Sequence, residues 1–510
     1  MTEESQHNEP IHEGNQFKKI LKHGFWYLFS SLSTKVIQLL LLPVYTRYLS
    51  PADYGVLGSL TSITQLLPVF ISLYMDSSFD RYYFLEKSIS RERIRSLYST
   101  HFWFVGIWGL FVTTIFFVVA PRTVQPLLHI PFAPYIPLVG LAALFNQVAN
   151  FGLIYLRSNL KAKKLNIVNL IGFLLNSSLT LLLLVSFRWG IVANLVGNFA
   201  LATFLLIYYL MMAKGESLLV FKIDFAIVKR SLIYSIPLLP NIIGGWIAGL
   251  SDRLIMAFYG KITQVGLYSI AVQMALSLYL VNEAVTNVQG PISMSAMTAN
   301  KEAGKAQISE FISYYLLIIL FAYLAVTMFS KEMFVLLTGS DYHQAYSLVG
   351  IIALNHVFSG FYRVFSNVLA MNQKMWIISV AAILQALSNL TLNLIFIPHF
   401  AQYAAAWAGV GGMAIYTACI IIGSQIYDPV PINKPVVFTL ICWAGVIVGF
   451  YLCLDIYWHL NDYLNFALKL GLLAAYFIPL FVLSQMKDSR DHLQLLFRKS
   501  LVKLVGLYGK

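Results

Sequence analysis

Charged residues are scarce in this 510-residue chain: Asp, Glu, Lys and Arg make up 11% of it, against about 25% in an ordinary soluble domain. With a hydrophobic share of 58% and a mean hydropathy of +0.72, that scarcity excludes a water-soluble fold. Cysteine is nearly missing. Cys419, Cys442 and Cys453 lie in apolar segments without CxxC or Cys/His spacing, which excludes a zinc site or a disulfide framework and leaves them as small packing residues. Acidic residues are outnumbered, 22 to 35, yet the Lys and Arg residues sit in short loops between apolar runs, where they set topology. The net charge of +13 therefore does not indicate a nucleic-acid partner.

Catalytic signatures are missing too. Gly260-Lys261 is followed by Ile262 and Gly304-Lys305 by Ala306, so there is no phosphate-cradling G-x-x-x-x-G-K-[ST] loop. Neither H-E-x-x-H nor G-x-S-x-G occurs, and no polar segment is long enough to house a catalytic domain. A membrane-embedded transferase would need paired carboxylates or histidines at one membrane face, whereas the charges here run along both halves of the chain. The expectation is a transporter rather than an enzyme, without cofactor or metal. The segment from Met1 to Asn15 is polar, and the first apolar run is too long for a signal-peptide core, so it reads as a retained helix.

What is present is a succession of apolar runs long enough to cross a hydrocarbon core of about 30 Å. About 14 appear: 24–46, 54–79, 99–120, 134–157, 167–187, 191–213, 231–257, 265–289, 308–329, 346–369, 376–397, 404–427, 435–457 and 464–485. The expected fold class is an all-α polytopic membrane protein. Lys18, Lys19 and Lys22, then Arg81, Lys87, Arg91, Arg93 and Arg95, then Arg157, Lys161, Lys163 and Lys164, then Lys214, Lys222, Lys229 and Arg230 mark alternate loops as cytoplasmic, which puts both termini inside.

Sliding the chain by 211 to 213 residues lays Asp53-Tyr54-Gly55-Val56 over Gln264-Val265-Gly266-Leu267, and the segment 175–180 over 388–393. A period of six helices gives two parallel lobes with a substrate site between them. The expected organisation is a cytoplasmic tail over 1–23, a six-helix lobe over 24–213 and a cytoplasmic linker over 214–230. A second six-helix lobe follows over 231–427, then two additional helices over 435–485 and a basic amphipathic tail over 486–510, laid on an anionic leaflet.

Ionisable groups at membrane depth are costly unless they face a partner or a water-filled cavity, so each is a functional candidate. Lys35 shares a face with Ser31, Thr34, Gln38 and Tyr45. Asp76 lies on a face with Gln65, Ser72 and Asp80; the repeat maps Ser72 onto Glu283 and Asp76 onto Asn287. Tyr279, Asn282, Glu283 and Thr286 form another stripe, and Asn355, His356, Ser359, Arg363, Ser366 and Asn367 recur at helical spacing on the tenth run, with Asn146, Gln147, Asn150 and Arg157 on its mate. Pro237, Asn241, Gly244, Gly245 and Asp252 align on the seventh, whose prolines and glycines predict a bend. For single Asn and Ser residues, interhelical hydrogen bonding is the simpler explanation. Arg157, Arg253 and Lys469 lie near run ends, where snorkelling explains them as well.

The stretch Leu42-Pro43-Val44-Tyr45-Thr46-Arg47-Tyr48-Leu49-Ser50-Pro51-Ala52-Asp53-Tyr54-Gly55 resembles the first-hairpin pattern of bacterial polysaccharide flippases of the Wzx type. So does Ser251-Asp252-Arg253-Leu254-Ile255, followed by Val265-Gly266-Leu267-Tyr268-Ser269-Ile270-Ala271. The resemblance spans roughly residues 20 to 430, in a superfamily shared with MATE-type multidrug exporters and MurJ-type lipid II flippases. It implies a MATE-like bilobed fold whose central cavity alternates in access and moves an undecaprenyl-diphosphate-linked oligosaccharide from the cytoplasmic to the periplasmic leaflet of the bacterial inner membrane. A diphosphate favours a cationic cavity, for which Lys35 and Arg363 are the candidates and Arg253 a weaker one. Asn150, Asn241, Asn282, Asn355 and Asn367 are candidates to bond sugar hydroxyls, and Tyr279 to stack on a sugar ring. Asp76, Asp252 and Glu283 are candidates to couple a proton or sodium gradient. Membrane lipids are the other expected partners, with a polymerase and glycosyltransferases from the resemblance alone. Two transporter alternatives stand beside this reading. One is a MATE-like ion-coupled exporter of small molecules; the other is a major-facilitator transporter, whose loop motif Asp80-Arg81 matches only in part. A membrane scaffold is the alternative from another class.

Overall fold

The computed structural model describes residues 35, 37–299, 301–457 and 462–479. The expected tail over 1–23, most of the first expected span, the end of the last expected span (480–485) and the tail over 486–510 lie outside the described residues. The described residues are helical and contain no β-strand.

The chain divides into two compact units, Met1–Ile243 and Gly244–Lys510. The first contains α1 (37–48), α2 (Pro51–Ser72), α3 (Met75–Lys87), α4 (Arg91–Val119), α5 (Val124–Leu128), α6 (Tyr135–Ser158), α7 (Ala162–Leu181), α8 (Ile191–Gly215) and α9 (Phe225–Ser235). The boundary falls within α10 (Leu239–Phe258). The second unit continues with α11 (Ile262–Ala299), α12 (Lys301–Met328), α13 (Ser330–Leu337), α14 (Tyr346–Met371), α15 (Met375–Tyr427), α16 (Lys434–Tyr457) and α17 (Asp462–Ala475).

Eleven helices among the described residues are long and apolar enough to cross a membrane. One of them, α15, runs for 53 residues but holds two of the expected spans, because Ala401 (φ 44°, ψ −119°) breaks it just after Pro398. Its legs run back along each other: Gln385 Nε2 lies 3.4 Å from Met413 Sδ, and a Cβ on Gly423 would lie 2.8 Å from Ile377. Large apolar side chains such as Ile107, Phe111, Ile115 and Val118 stand exposed along one side of α4 at helical spacing, the surface a bilayer requires.

The motif Ser50-Pro51-Ala52-Asp53 has a local structural reason. Ser50 Oγ accepts from the Asp53 N–H at 3.2 Å and Asp53 Oδ2 accepts from the Ser50 N–H at 3.0 Å, a capping box with Pro51 in the first helical turn. The second expected span, 54–79, does not run through. It stops at Ser72, where Leu73 (φ 50°) and Tyr74 (φ 58°) turn left-handed and Tyr74 N–H donates to Ser72 Oγ at 3.1 Å. Asp76 consequently sits in the first turn of α3, where a carboxylate suits the helix dipole, and not inside the apolar helix. Burial raises its carboxyl above the usual range, opposed by hydrogen bonds from the α3 backbone and Ser72 and by the charge of Arg157. The bend expected on the seventh run is a 3₁₀ turn at Ile236–Leu238, between α9 and α10.

Element order repeats between the units. The first residues of α6 and α14 stand 211 apart, as do those of α2 and α11. Packing repeats with it, since α6 packs on α2, α4 and α8 as α14 packs on α11, α12 and α15. The loops leaving α6 and α14 match in detail. Asn159 and Asn372 each donate from Nδ2 to the carbonyl four residues back at 2.9 Å, each precedes a left-handed residue (Leu160 and Gln373, both φ 56°), and Lys161 and Lys374 close on Leu156 and Leu369. The unit-specific addition is α16 and α17 against α12. Lys469 of α17 is fully buried, 2.5 Å from Glu332 of α13 and beside the rings of Phe329 and Tyr451, so it is not a snorkelling residue.

Candidate functional site

In the second unit α11, α12 and α14 pack mutually, and their polar stripes meet. Asn282 of α11 is fully buried. Its Nδ2 donates to Ser359 Oγ at 2.6 Å and lies 3.4 Å from the His356 carbonyl, while its Oδ1 accepts from Tyr315 of α12 at 3.2 Å. Tyr315 reaches it because residue 360 is glycine: a Cβ there would collide with the Tyr315 hydroxyl and lie 2.6 Å from Asn282 Oδ1. Buried amides in a bilayer must find such partners, and this one ties three helices together.

Next to this tie, at the residue after Asn282 on α11 and one turn beyond Ser359 on α14, the scaffold presents charge. Arg363 of α14 forms an ion pair with Glu283 of α11, and its Nη1 donates to Thr286 Oγ1 at 3.4 Å. Side-chain exposures of 29% for Arg363 and 24% for Glu283 keep both reachable from outside the packed core, unlike Asn282 behind them. Tyr279 lies one turn before Glu283 and meets His356 edge-on, with ring centroids 5.7 Å apart. A guanidinium with a planar donor array, a carboxylate and an aromatic face thus lie together on a held framework.

The remaining candidates are distributed otherwise. Arg253 and Asp252 are buried on α10 and occupied by each other at 3.6 Å; Arg253 also reaches Ser269 and the Gly249 carbonyl, both at 3.3 Å, and stands over the Tyr268 ring. Asn355 and Asn367 are half-buried on α14. In the first unit Lys35 and Asn150 are half-buried and Asn241 is exposed. Asp76 accepts from Ser72 Oγ at 3.3 Å.

Several ties had no signal in the sequence because they join distant segments. Asp80 accepts from Arg157 at 2.9 Å and Ser158 at 3.1 Å, which gives it a structural reason. Glu86 holds Arg230 at 2.9 Å and Arg93 at 3.5 Å, and buried His101 sits 3.2 Å from Ser78 Oγ and 3.0 Å from Ser231 Oγ. The segment expected as a linker, 214–230, therefore ends in a helix fastened to α3 and α4. Glu216 binds Lys161 at 2.9 Å and the Tyr155 hydroxyl, while Asp428 binds Lys305 at 2.8 Å and Asn372 at 3.0 Å. Among the described residues no group of three His, Cys, Asp or Glu is arranged to hold a metal.

A family model described as "Polysaccharide biosynthesis protein" matches residues 44–347, which contain the capping-box motif, Asp252-Arg253, Asn282 and Glu283. The chain belongs to this family. No curated protein matches the sequence. Among solved structures, the lipid II flippase MurJ in an inward closed conformation aligns with a TM-score of 0.66 at 12% identity, over 94% of this chain and 100% of that one. An inward-facing multidrug resistance MATE family transporter of the MOP superfamily aligns with a TM-score of 0.56 at 14% identity, over 78% and 97%. The Vibrio cholerae MATE transporter VcmN aligns with a TM-score of 0.52 at 13% identity, over 80% and 96%. These likenesses give the fold: this polysaccharide biosynthesis protein is a multi-pass membrane protein with the fold seen in MurJ and in MATE transporters.

Proposed function

We propose that the protein flips an undecaprenyl-diphosphate-linked oligosaccharide from the cytoplasmic to the periplasmic leaflet of a bacterial inner membrane, with both termini cytoplasmic. The observation that carries the proposal is the partly exposed Arg363–Glu283 pair, supported from behind by Asn282 and Tyr315. A guanidinium at membrane depth suits a diphosphate because it offers paired donors to phosphate oxygens in a low dielectric. Glu283 neutralises it until an anion arrives, which lowers the cost of holding the charge in the bilayer. Tyr279 offers a ring to a sugar, and Asn355 and Asn367 offer amides along the same helix as Arg363. Lys35 has the corresponding cationic role in the first unit, while Asp252 and Arg253 hold helices in place.

The test is binding of purified undecaprenyl-diphosphate oligosaccharide to the full chain in nanodiscs. Arg363→Ala is expected to weaken binding about tenfold or more, the size of one lost charge-assisted contact, and Glu283→Gln to strengthen it. Equal binding by wild type and both variants would remove the pair from the substrate site. Tighter binding of small organic cations than of the diphosphate lipid would favour an exporter of the MATE kind.

A further inference from the structure

The two legs of the α15 hairpin form, near its turn, an open-sided cavity of about 450 Å³, lined by Leu392, Phe396 and Phe400 on one leg and Tyr403, Ala404, Trp407 and Ala408 on the other. Its geometry follows from helical spacing. Leu392, Phe396 and Phe400 recur every four residues and make one wall, Tyr403 and Trp407 make the facing wall, and the buried Ala404 and Ala408 leave space at the floor. The result is a slot parallel to the helix axes. Ala401, the non-helical residue of α15, lies in the chain between Phe400 of one wall and Tyr403 of the other. Tyr403 supplies the hydroxyl of the lining, which lies 2.8 Å from Ser347 Oγ at the start of α14.

We propose that this slot is a binding site for one acyl chain of a membrane phospholipid. Its mouth is continuous with the apolar surface that α15 gives to the bilayer: Phe400 is 61% and Trp407 56% exposed, and Leu387, Leu394 and Ile395 stand exposed on the same helix. Such a surface exists only against lipid, and a volume of this size lies in the range of ordinary ligand pockets. A hydrocarbon chain is long, narrow and aligned with the helix axes, as the slot is, and it makes dispersion contacts with both aromatic walls that an empty slot forfeits. Tyr and Trp at an open rim suit the headgroup boundary. Phospholipid is the most abundant chain-bearing species in any bilayer, so mass action favours it as the occupant. Bound there, the chain braces the two legs at the break.

Native mass spectrometry of the purified full chain, titrated with dioleoylphosphatidylethanolamine, tests the site. Wild type is expected to bind one lipid more tightly than those that follow. Phe400→Ala and Trp407→Ala, each made separately at exposed positions that folding tolerates, should weaken that first step about fivefold. Leu387→Ala, on the same helix but outside the slot, should leave it unchanged. Identical binding steps in all four proteins would overturn the proposal. Displacement of the first lipid by equimolar undecaprenyl phosphate would overturn its choice of occupant. Because this test uses no oligosaccharide, its failure is separate from that of the proposed transport activity.

Discussion

Arg363 on α14 and Glu283 on α11 neutralise one another at a point where both remain partly exposed, while Asn282, immediately before Glu283, is fully enclosed. A buried tie and an open charge pair thus occupy consecutive positions of one helix. Removing only the carboxylate leaves the cation uncompensated. Glu283→Gln is expected to lower thermal stability in detergent by about 1–2 kcal/mol, less than for a fully buried pair because water reaches both groups. Added pyrophosphate should restore that loss in the variant more than it stabilises wild type. A melting series with and without pyrophosphate checks this.

Gly360 is the closest approach in the framework behind the pair. Gly360→Ala should drive the Tyr315 hydroxyl off Asn282 and cost about 2–4 kcal/mol, combining overpacking with a lost buried hydrogen bond. Tyr315→Phe keeps the ring and removes the hydroxyl, so it should cost only about 1–2 kcal/mol. Thermal unfolding of both variants in the same detergent gives the comparison, and an equal cost would place the constraint elsewhere.

Glu216 gives a pH dependence with a defined sign. Burial alone would raise its carboxyl, but hydrogen bonds from Tyr155 and Lys161 and the charges of Lys161 and Lys164 hold it below the usual carboxylate value. A lowered native pKa means stability that is complete above the ordinary carboxylate range and lost as pH falls through the native value. Glu216→Gln should therefore destabilise the protein at neutral pH, with the difference from wild type shrinking in acid. Melting temperatures taken from neutral to acidic pH would show the two curves converging; parallel curves would contradict the assignment.

Lys469 and Glu332 register α17 against α13. Glu332→Gln alone should cost about 2–3 kcal/mol, because it leaves a fully buried ammonium beside an amide oxygen and the rings of Phe329 and Tyr451 but without a counter-charge. Lys469→Met with Glu332→Leu should recover most of that loss. A double-mutant cycle on unfolding temperature measures the coupling, and additive losses would mean that the pair contributes nothing.

Hydropathy, loop charge and the faint repeat made the helical class and the order of spans legible, since each depends on periodicity within one segment. The bend near Pro237 was legible for the same reason, whereas Ser50 and Asp53 stood in a quoted motif whose capping role the structure supplied. The break at Leu73 and Tyr74 was not, because neither residue is a glycine and nothing in their side chains announces a left-handed backbone. The stripes carrying Asn282, Glu283, His356 and Arg363 could be read as helix faces, but their meeting could not: Tyr315 enters from a third helix, and only the packed bundle separates the enclosed Asn282 from the open Arg363. Asp252 and Arg253 show the opposite case, two charges in a recognisable motif that satisfy each other.

The most direct measurement is translocation of purified undecaprenyl-diphosphate oligosaccharide in proteoliposomes, with wild type, Arg363→Ala and Lys35→Ala reconstituted at matched levels of folded protein. The account predicts transport by wild type and at least a tenfold loss in Arg363→Ala, with a loss also in Lys35→Ala. Wild-type transport that persists undiminished in both variants would contradict a cationic substrate site, and no transport of any diphosphate-linked oligosaccharide by wild type would contradict the flippase assignment itself.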